Sequence, residues 1–188
     1  MQPTSQKSGP SSARKRSPPL VVIATAAAIA VAALLLWADW PGTPLPAGAR
    51  IDLLVVEKGA HRLLAYQQGR LLKEYTVSEG PGLGAKLRAG DLRTPEGIYF
   101  IDWHNGASCC DQALHVSYPS PRDRMRAQHS GYSPGGDIMV HGLPNGLGWV
   151  GRVHQLSDWT KGCIAVTDPE IEELYRATPD GTRIEIRP

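Results

Sequence analysis

The chain has 188 residues, enough for one domain of ordinary size and a tail, with 20 basic and 18 acidic side chains and a formal net charge of +2. The basic excess lies at the front: Lys7, Arg14, Lys15 and Arg16 precede every acid, which leaves 16 basic and 17 acidic side chains in residues 41–188. That balance gives no clustered basic face of the kind nucleic acid requires.

In chain order, residues 1–19 are rich in Ser, Pro, Gln and Lys, cannot bury a core, and are expected to form a disordered basic tail on the cytoplasmic side. Residues 20–38, from Leu20 to Ala38, are 19 positions without a charge. As a helix they span about 28 Å, the thickness of a bilayer core. The flank Arg14-Lys15-Arg16 predicts a cytoplasmic N-terminus, with Trp37 and Trp40 as an aromatic belt at the far interface. A cleaved secretory leader fits the same charged start and apolar run, with small-residue cleavage patterns reaching as far as Ala47-Gly48-Ala49. On either reading the rest of the chain is outside the cytoplasm. Residues 39–49 read as a Pro/Gly linker, a short and fairly stiff spacer.

Residues 50–188 read as one domain, mainly β. Strands are expected at Ile51 to Val56, Arg62 to Tyr66, Leu71 to Ser78, Ile98 to Asp102, Ala113 to Ser117, Asp137 to His141, Cys163 to Thr167 and Arg183 to Ile186. Strands at this spacing predict a β-sandwich or barrel. Two short helices are signalled by a cap, a first-turn proline and an acid: Ser120-Pro121-Arg122-Asp123, and Thr167-Asp168-Pro169-Glu170 leading into Ile171 to Tyr175. The stretch Glu79 to Asp91 reads as a long loop of the kind that frames sites on a β scaffold.

The chemistry concentrates in Asp158-Trp159-Thr160-Lys161-Gly162-Cys163-Ile164-Ala165-Val166, where one cysteine stands behind a glycine at the mouth of an apolar strand. Gly162 leaves room for a substrate carbonyl to approach the sulfur. A thiol of ordinary pKa near 8.5 is only roughly 3% ionised at pH 7, so it needs an imidazole to take its proton. His141, ending a short apolar strand before Gly142 and 22 residues ahead of Cys163, is the natural base. The N–H groups of Gly162 and Cys163 are the simplest oxyanion donors. Thr160 is expected to order the turn or touch substrate; Arg152, which could pair with a substrate carboxylate, and His154 read as substrate contacts or solvated loop residues, and Trp149 and Trp159 as walls of the cleft or as core.

These residues resemble the L,D-transpeptidase family, the YkuD-type catalytic domain of bacterial cell-wall enzymes. The family sets a histidine in a strand-end His-Gly or His-Ser pair, then Ser/Thr-x-Gly-Cys and an apolar strand; here those positions read His141-Gly142 and Thr160-Lys161-Gly162-Cys163-Ile164. Arg93-Thr94-Pro95-Glu96-Gly97 and Ser133-Pro134-Gly135-Gly136-Asp137 extend the likeness over residues 50–188. Lys161 stands where many members carry His or Ser, and Ala165 where many carry Asn or Arg. The resemblance implies a YkuD-like fold and a bacterial chain, with the domain in the periplasm and held at the inner membrane unless the leader is cleaved. It further implies a thioester between Cys163 and the tetrapeptide stem of peptidoglycan, release of D-alanine, and transfer to an amine such as that of meso-diaminopimelate. It also implies that the carbonyl of Gly142 orients His141.

Peptidoglycan stems are thus the expected partner; no cofactor, nucleic acid or obligate protein partner is called for. A hydrolase using the same cysteine, an L,D-carboxypeptidase or a link-cutting enzyme, is the alternative. Zinc on Cys163, His141 and His154 is disfavoured because structural zinc takes four ligands, usually in close pairs. A wall-binding module without catalysis is disfavoured because nucleophile and base are both present. Cys109 and Cys110 are adjacent, and a bond between neighbours is strained.

Overall fold

The computed structural model describes residues 20–38 and 42–188; the tail expected at 1–19 lies outside the described residues. The chain divides into two compact units between Leu35 and Leu36. Helix α1, Leu20–Ala38, carries no charged residue over 19 positions. By length and composition it can cross a membrane, a property that anchors and secretory leaders share.

All eight expected strands form, as β1 (Leu53–Glu57), β2 (Arg62–Gln67), β3 (Arg70–Thr76), β4 (Gly97–Asn105), β5 (Ala113–Val116), β6 (Met139–His141), β7 (Ile164–Ala165) and β8 (Arg183–Arg187). They join in one sheet of order β3-β2-β1-β8-β4-β5-β6-β7. Pairing is antiparallel except for β1 with β8 and β6 with β7. The sandwich half of the expectation therefore gives way to the barrel half: there is a single curled sheet whose two edges approach each other. Ser78, just past β3, bridges Ala165 of β7, with Ser78 N–H donating to Ala165 O at 3.0 Å and Ala165 N–H donating back at 2.8 Å.

The core fills the inside of this curl. Alternation puts Tyr99 and Ile101 of β4 inward with Ile184 and Ile186 of β8, all buried, while Ile98, Phe100, Arg183 and Arg187 face out. Both expected helices form. In α2 (Pro121–His129), Ser120 Oγ accepts from Asp123 N–H and Asp123 Oδ2 accepts from Ser120 N–H, a reciprocal cap. In α3 (Asp168–Ala177), Glu170 Oε2 accepts the Thr167 N–H at 3.0 Å. The buried stripe of α3, Ile171 and Leu174, joins the core beneath β5 and β6.

β6 and β7 are shorter than expected because each has a special neighbour. Asp137 sits at φ 55°, outside strand geometry, and Thr167 turns aside to cap α3. Two short 3-10 turns, Lys58–Ala60 and the kinked segment Gly148–Leu156, lie where only loop was expected. The kink is at Gly151, with φ 48° and ψ −136°.

Candidate active site

Cys163 and His141 come together through the parallel pairing of β6 with β7. Val140 is opposite Ile164 and His141 opposite Ala165, and Val140 and Ile164 are fully buried in the core. With side chains alternating, Cys163 and His141 fall on the other face, on diagonal positions of adjacent strands. Cys163 is half-buried, and its Sγ lies 3.5 Å from the carbonyl of Asp137.

The wiring of His141 decides what it can do. Its Nδ1 donates to the Gly142 carbonyl at 2.6 Å, so the neutral ring carries its proton there and keeps a lone pair on Nε2. Burial pushes its pKa below the ordinary value, against the Gly142 bond, which raises it. Gly142 has no room for a side chain: a Cβ would meet Asp168 Oδ1 at 2.8 Å and Ile171 at 2.9 Å.

Burial also pushes the Cys163 thiol up, and the Met139 N–H and the Lys86 ammonium pull it back, while Cys109 and Asp137 add to the rise. Burial thus favours the uncharged form of both the Cys163 thiol and the His141 imidazole.

Thr160 is an organiser of the catalytic turn. Its hydroxyl donates to the Cys163 carbonyl at 2.7 Å and accepts the Gly162 N–H at 3.1 Å. The Gly162 N–H is therefore occupied within the turn, whereas the Cys163 N–H makes no hydrogen bond among the described residues. The space left by the missing side chain of Gly162 is likewise taken from within. Gly162 adopts φ 121°, and a Cβ there would meet the carbonyl oxygen of Arg93 at 2.5 Å. The glycine is needed for backbone approach rather than for the approach of a substrate.

Of the expected cleft residues, Trp159 and His154 join the pair. Trp159 meets His141 edge-on at 5.9 Å between ring centres and His154 at 6.1 Å. Its Nε1–H donates to His154 Nδ1 at 3.3 Å, and the Ser78 hydroxyl lies 3.3 Å from the same nitrogen and 3.0 Å from the His154 carbonyl. Burial and the nearby His141 lower His154 to about 4. Trp149 is exposed, and Arg152, partly buried, has no carboxylate partner among the described residues. Among the described residues neither makes a hydrogen bond or an aromatic contact with the pair.

Sequence reading missed Ser78 and Glu79, which brace the turn from behind: Glu79 N–H donates to Asp158 Oδ1 at 2.8 Å and Glu79 O accepts the Thr160 N–H at 3.0 Å. Their signal is faint, two polar residues just past a strand. The thiols of Cys109 and Cys110 are 3.2 Å apart and unbonded. Among the described residues no group of three or more His, Cys, Asp or Glu is placed to hold a metal ion.

Comparison with known proteins matches residues 51–186 to the L,D-transpeptidase catalytic domain (YkuD). The chain is 26% identical over 113 residues to YafK, a candidate L,D-transpeptidase of Escherichia coli (strain K12), covering 58% of this chain and 38% of that protein. It thus spans well under two thirds of this curated relative. Among solved structures it is similar to the helical cell shape determining protein Pgp2 of Campylobacter jejuni, with TM-score 0.56, 22% identity, and coverage of 82% of this chain and 54% of that one. It is also similar to Bd1075 of Bdellovibrio bacteriovorus, with TM-score 0.51, 21% identity, and coverage of 76% and 50%. At these identities the structural likeness establishes the fold.

Proposed function

Since the chain belongs to the L,D-transpeptidase catalytic domain family over residues 51–186, we propose that it is a cysteine acyltransferase of peptidoglycan stems. The observation that carries this reading is the Nδ1 bond from His141 to the Gly142 carbonyl at 2.6 Å, which leaves Nε2 as a base on the face that bears Cys163. Cys163 Sγ attacks the carbonyl that joins the third stem residue to D-alanine while His141 Nε2 takes the thiol proton. The tetrahedral oxyanion rests on the Cys163 N–H. As it collapses, the C–N bond breaks, His141 returns the proton to the departing amine of D-alanine, and a thioester remains. An incoming amine, deprotonated by the same Nε2, attacks the thioester, and the thiol is restored.

Trp159 and His154 wall this site, and Thr160 holds its turn rather than its substrate. The apolar helix α1, which fits an anchor or a cleaved leader, and the wall substrate support a periplasmic domain, held at the inner membrane or released from it if the leader is removed.

Mass spectrometry of the full chain with a carbapenem, whose strained carbonyl stands in for that of the stem, tests the nucleophile. A covalent adduct on Cys163, and on neither Cys109 nor Cys110, is expected. Loss of D-alanine release from a tetrapeptide stem in Cys163→Ala completes the case, and undiminished release by that variant ends it. Product ratios with and without an acceptor amine separate transfer from hydrolysis by water.

A further inference from the structure

Behind the catalytic turn lies a second cavity, of about 270 Å³, lined by Lys58, His61, Glu79, Glu96, Asp158 and the turn 80–84. Its charge is unbalanced. The Lys58 ammonium has three protons, and all are used, on the carbonyls of Gly84 at 2.8 Å and Thr94 at 3.1 Å and on Glu96 Oε1 at 2.9 Å. Lys58 and Glu96 thus form a closed pair that pins the turn to the start of β4. Asp158 Oδ1 is spoken for by the Glu79 N–H, with His61 Nδ1 3.5 Å away.

Glu79 is left over. It is among the residues that line the cavity, it is 2% exposed, and its Oε1 is buried with no hydrogen-bond partner among the described residues. A carboxylate so placed lacks a donor, and leaving it unpaired costs a large share of its solvation. An anionic ligand would meet Glu79, Glu96 and Asp158. A metal ion would need a donor cluster that these residues do not form. An ammonium supplies three donors on one charge. The mouth is apolar: Pro81 and Leu83 lie on the turn, and Leu83 is 88% exposed. That suits a methylene stem leading to the charge.

We propose that this cavity binds an aliphatic primary ammonium group, with Glu79 as its counter-ion and the turn 80–84 along its stem. The inference rests on the transpeptidase reading and deepens it. Glu79 and Asp158 are tied by hydrogen bonds to the strand and turn that hold Cys163, so the bound amine belongs to a substrate of that reaction. It is either the acceptor amine or an ammonium on the donor stem.

Occupancy follows the ionisation of Glu79, which burial, with Asp158 and Glu96 reinforcing and Lys58 opposing, pushes up to about 7. The carboxylate is about 90% ionised at pH 8 and about 10% at pH 6, so affinity should fall about tenfold between them.

Calorimetric titration of the full chain with 1,5-diaminopentane is the test, with 1,5-pentanediol and glutarate as neutral and anionic controls. The diamine should bind at pH 8 and the controls should not. Glu79→Gln should lose tenfold or more in affinity together with the pH dependence, and Glu79→Asp should fall between. Thermal unfolding of Glu79→Gln at or above the wild-type temperature at pH 8 shows that the fold is intact. Diamine binding that is absent at pH 8, or unchanged in Glu79→Gln, overturns the proposal.

Steady-state assays then separate the two sources. A raised KM for the acceptor alone in Glu79→Gln assigns the acceptor amine, a raised KM for the donor alone assigns the donor stem, and a change in neither overturns the link to the reaction. Carbapenem acylation of wild-type Cys163 reports separately on the transpeptidase reading, which can fail while amine binding holds.

Discussion

The end of β6 and the kinked segment 148–156 each present one buried histidine to the same tryptophan, and the two histidines are wired in opposite senses. His141 donates from Nδ1 to a carbonyl and keeps a free lone pair on Nε2. His154 accepts at Nδ1 from Trp159 and carries its proton on Nε2, which is buried without a partner among the described residues. In the proposed reaction one imidazole serves as base and the other as fixed acceptor, and the difference comes from the neighbour of Nδ1 rather than from the residue type.

The sharpest way to break this distinction is to remove each ring. His141→Ala should lower the rate of acyl-enzyme formation near neutral pH by about 10² or more, because no other group can take the thiol proton. His154→Ala should lose about tenfold or less. Burst kinetics with a chromogenic acyl donor measure both, and a reversed order would exchange the two roles.

A smaller effect sharpens it through pH. His141 must be neutral to act, and its pKa is lowered by burial, so the rising limb of kcat/KM for acylation should lie below pH 6.5. Trp159→Ala lets water reach the ring and should move that limb up toward the ordinary histidine value. Trp159→Phe keeps the ring, deletes only the donor to His154, and should leave the limb in place with a loss of only a few fold in rate. A limb that stays put in Trp159→Ala would show that the tryptophan does not shield His141.

The smallest effect is on stability. His154 is held near 4 in the folded chain against about 6.5 when unfolded, so below pH 6.5 the unfolded chain binds more protons. Wild-type stability should therefore fall as pH drops from about 6.5 to about 4. His154→Gln should lose that part of the fall and keep the part owed to His141. Thermal unfolding at pH 7 and pH 5 measures it; equal losses in both proteins would place the strain elsewhere.

The eight strands were legible because each alternates or runs apolar between Gly and Pro breaks, and both helices because each begins with a cap, a proline and an acid. The Cys163 and His141 pair was legible from motif and family likeness. The segment 148–156 was not: Gly148-Trp149-Val150-Gly151-Arg152 has no period, and its two turns depend on a glycine kink. The loss of the Gly162 N–H to Thr160 was hidden for a different reason, since a hydroxyl two residues back takes a donor only once the turn has its shape. Ser78 and Glu79 meet His154 and Asp158 across 76 and 79 residues of chain, a distance no local pattern spans.

The bridge between Ser78 and Ala165 has a bearing on how the turn of Cys163 is held. It joins the end of β3 to the strand that follows Cys163, a contact that runs from residue 78 to residue 165 of the chain. Until that ring closes, Ala165 has no outer partner and Thr160 lacks the Glu79 carbonyl. The turn that carries Cys163 thus takes its support from contacts that span most of the domain, and an open ring leaves that turn without its brace.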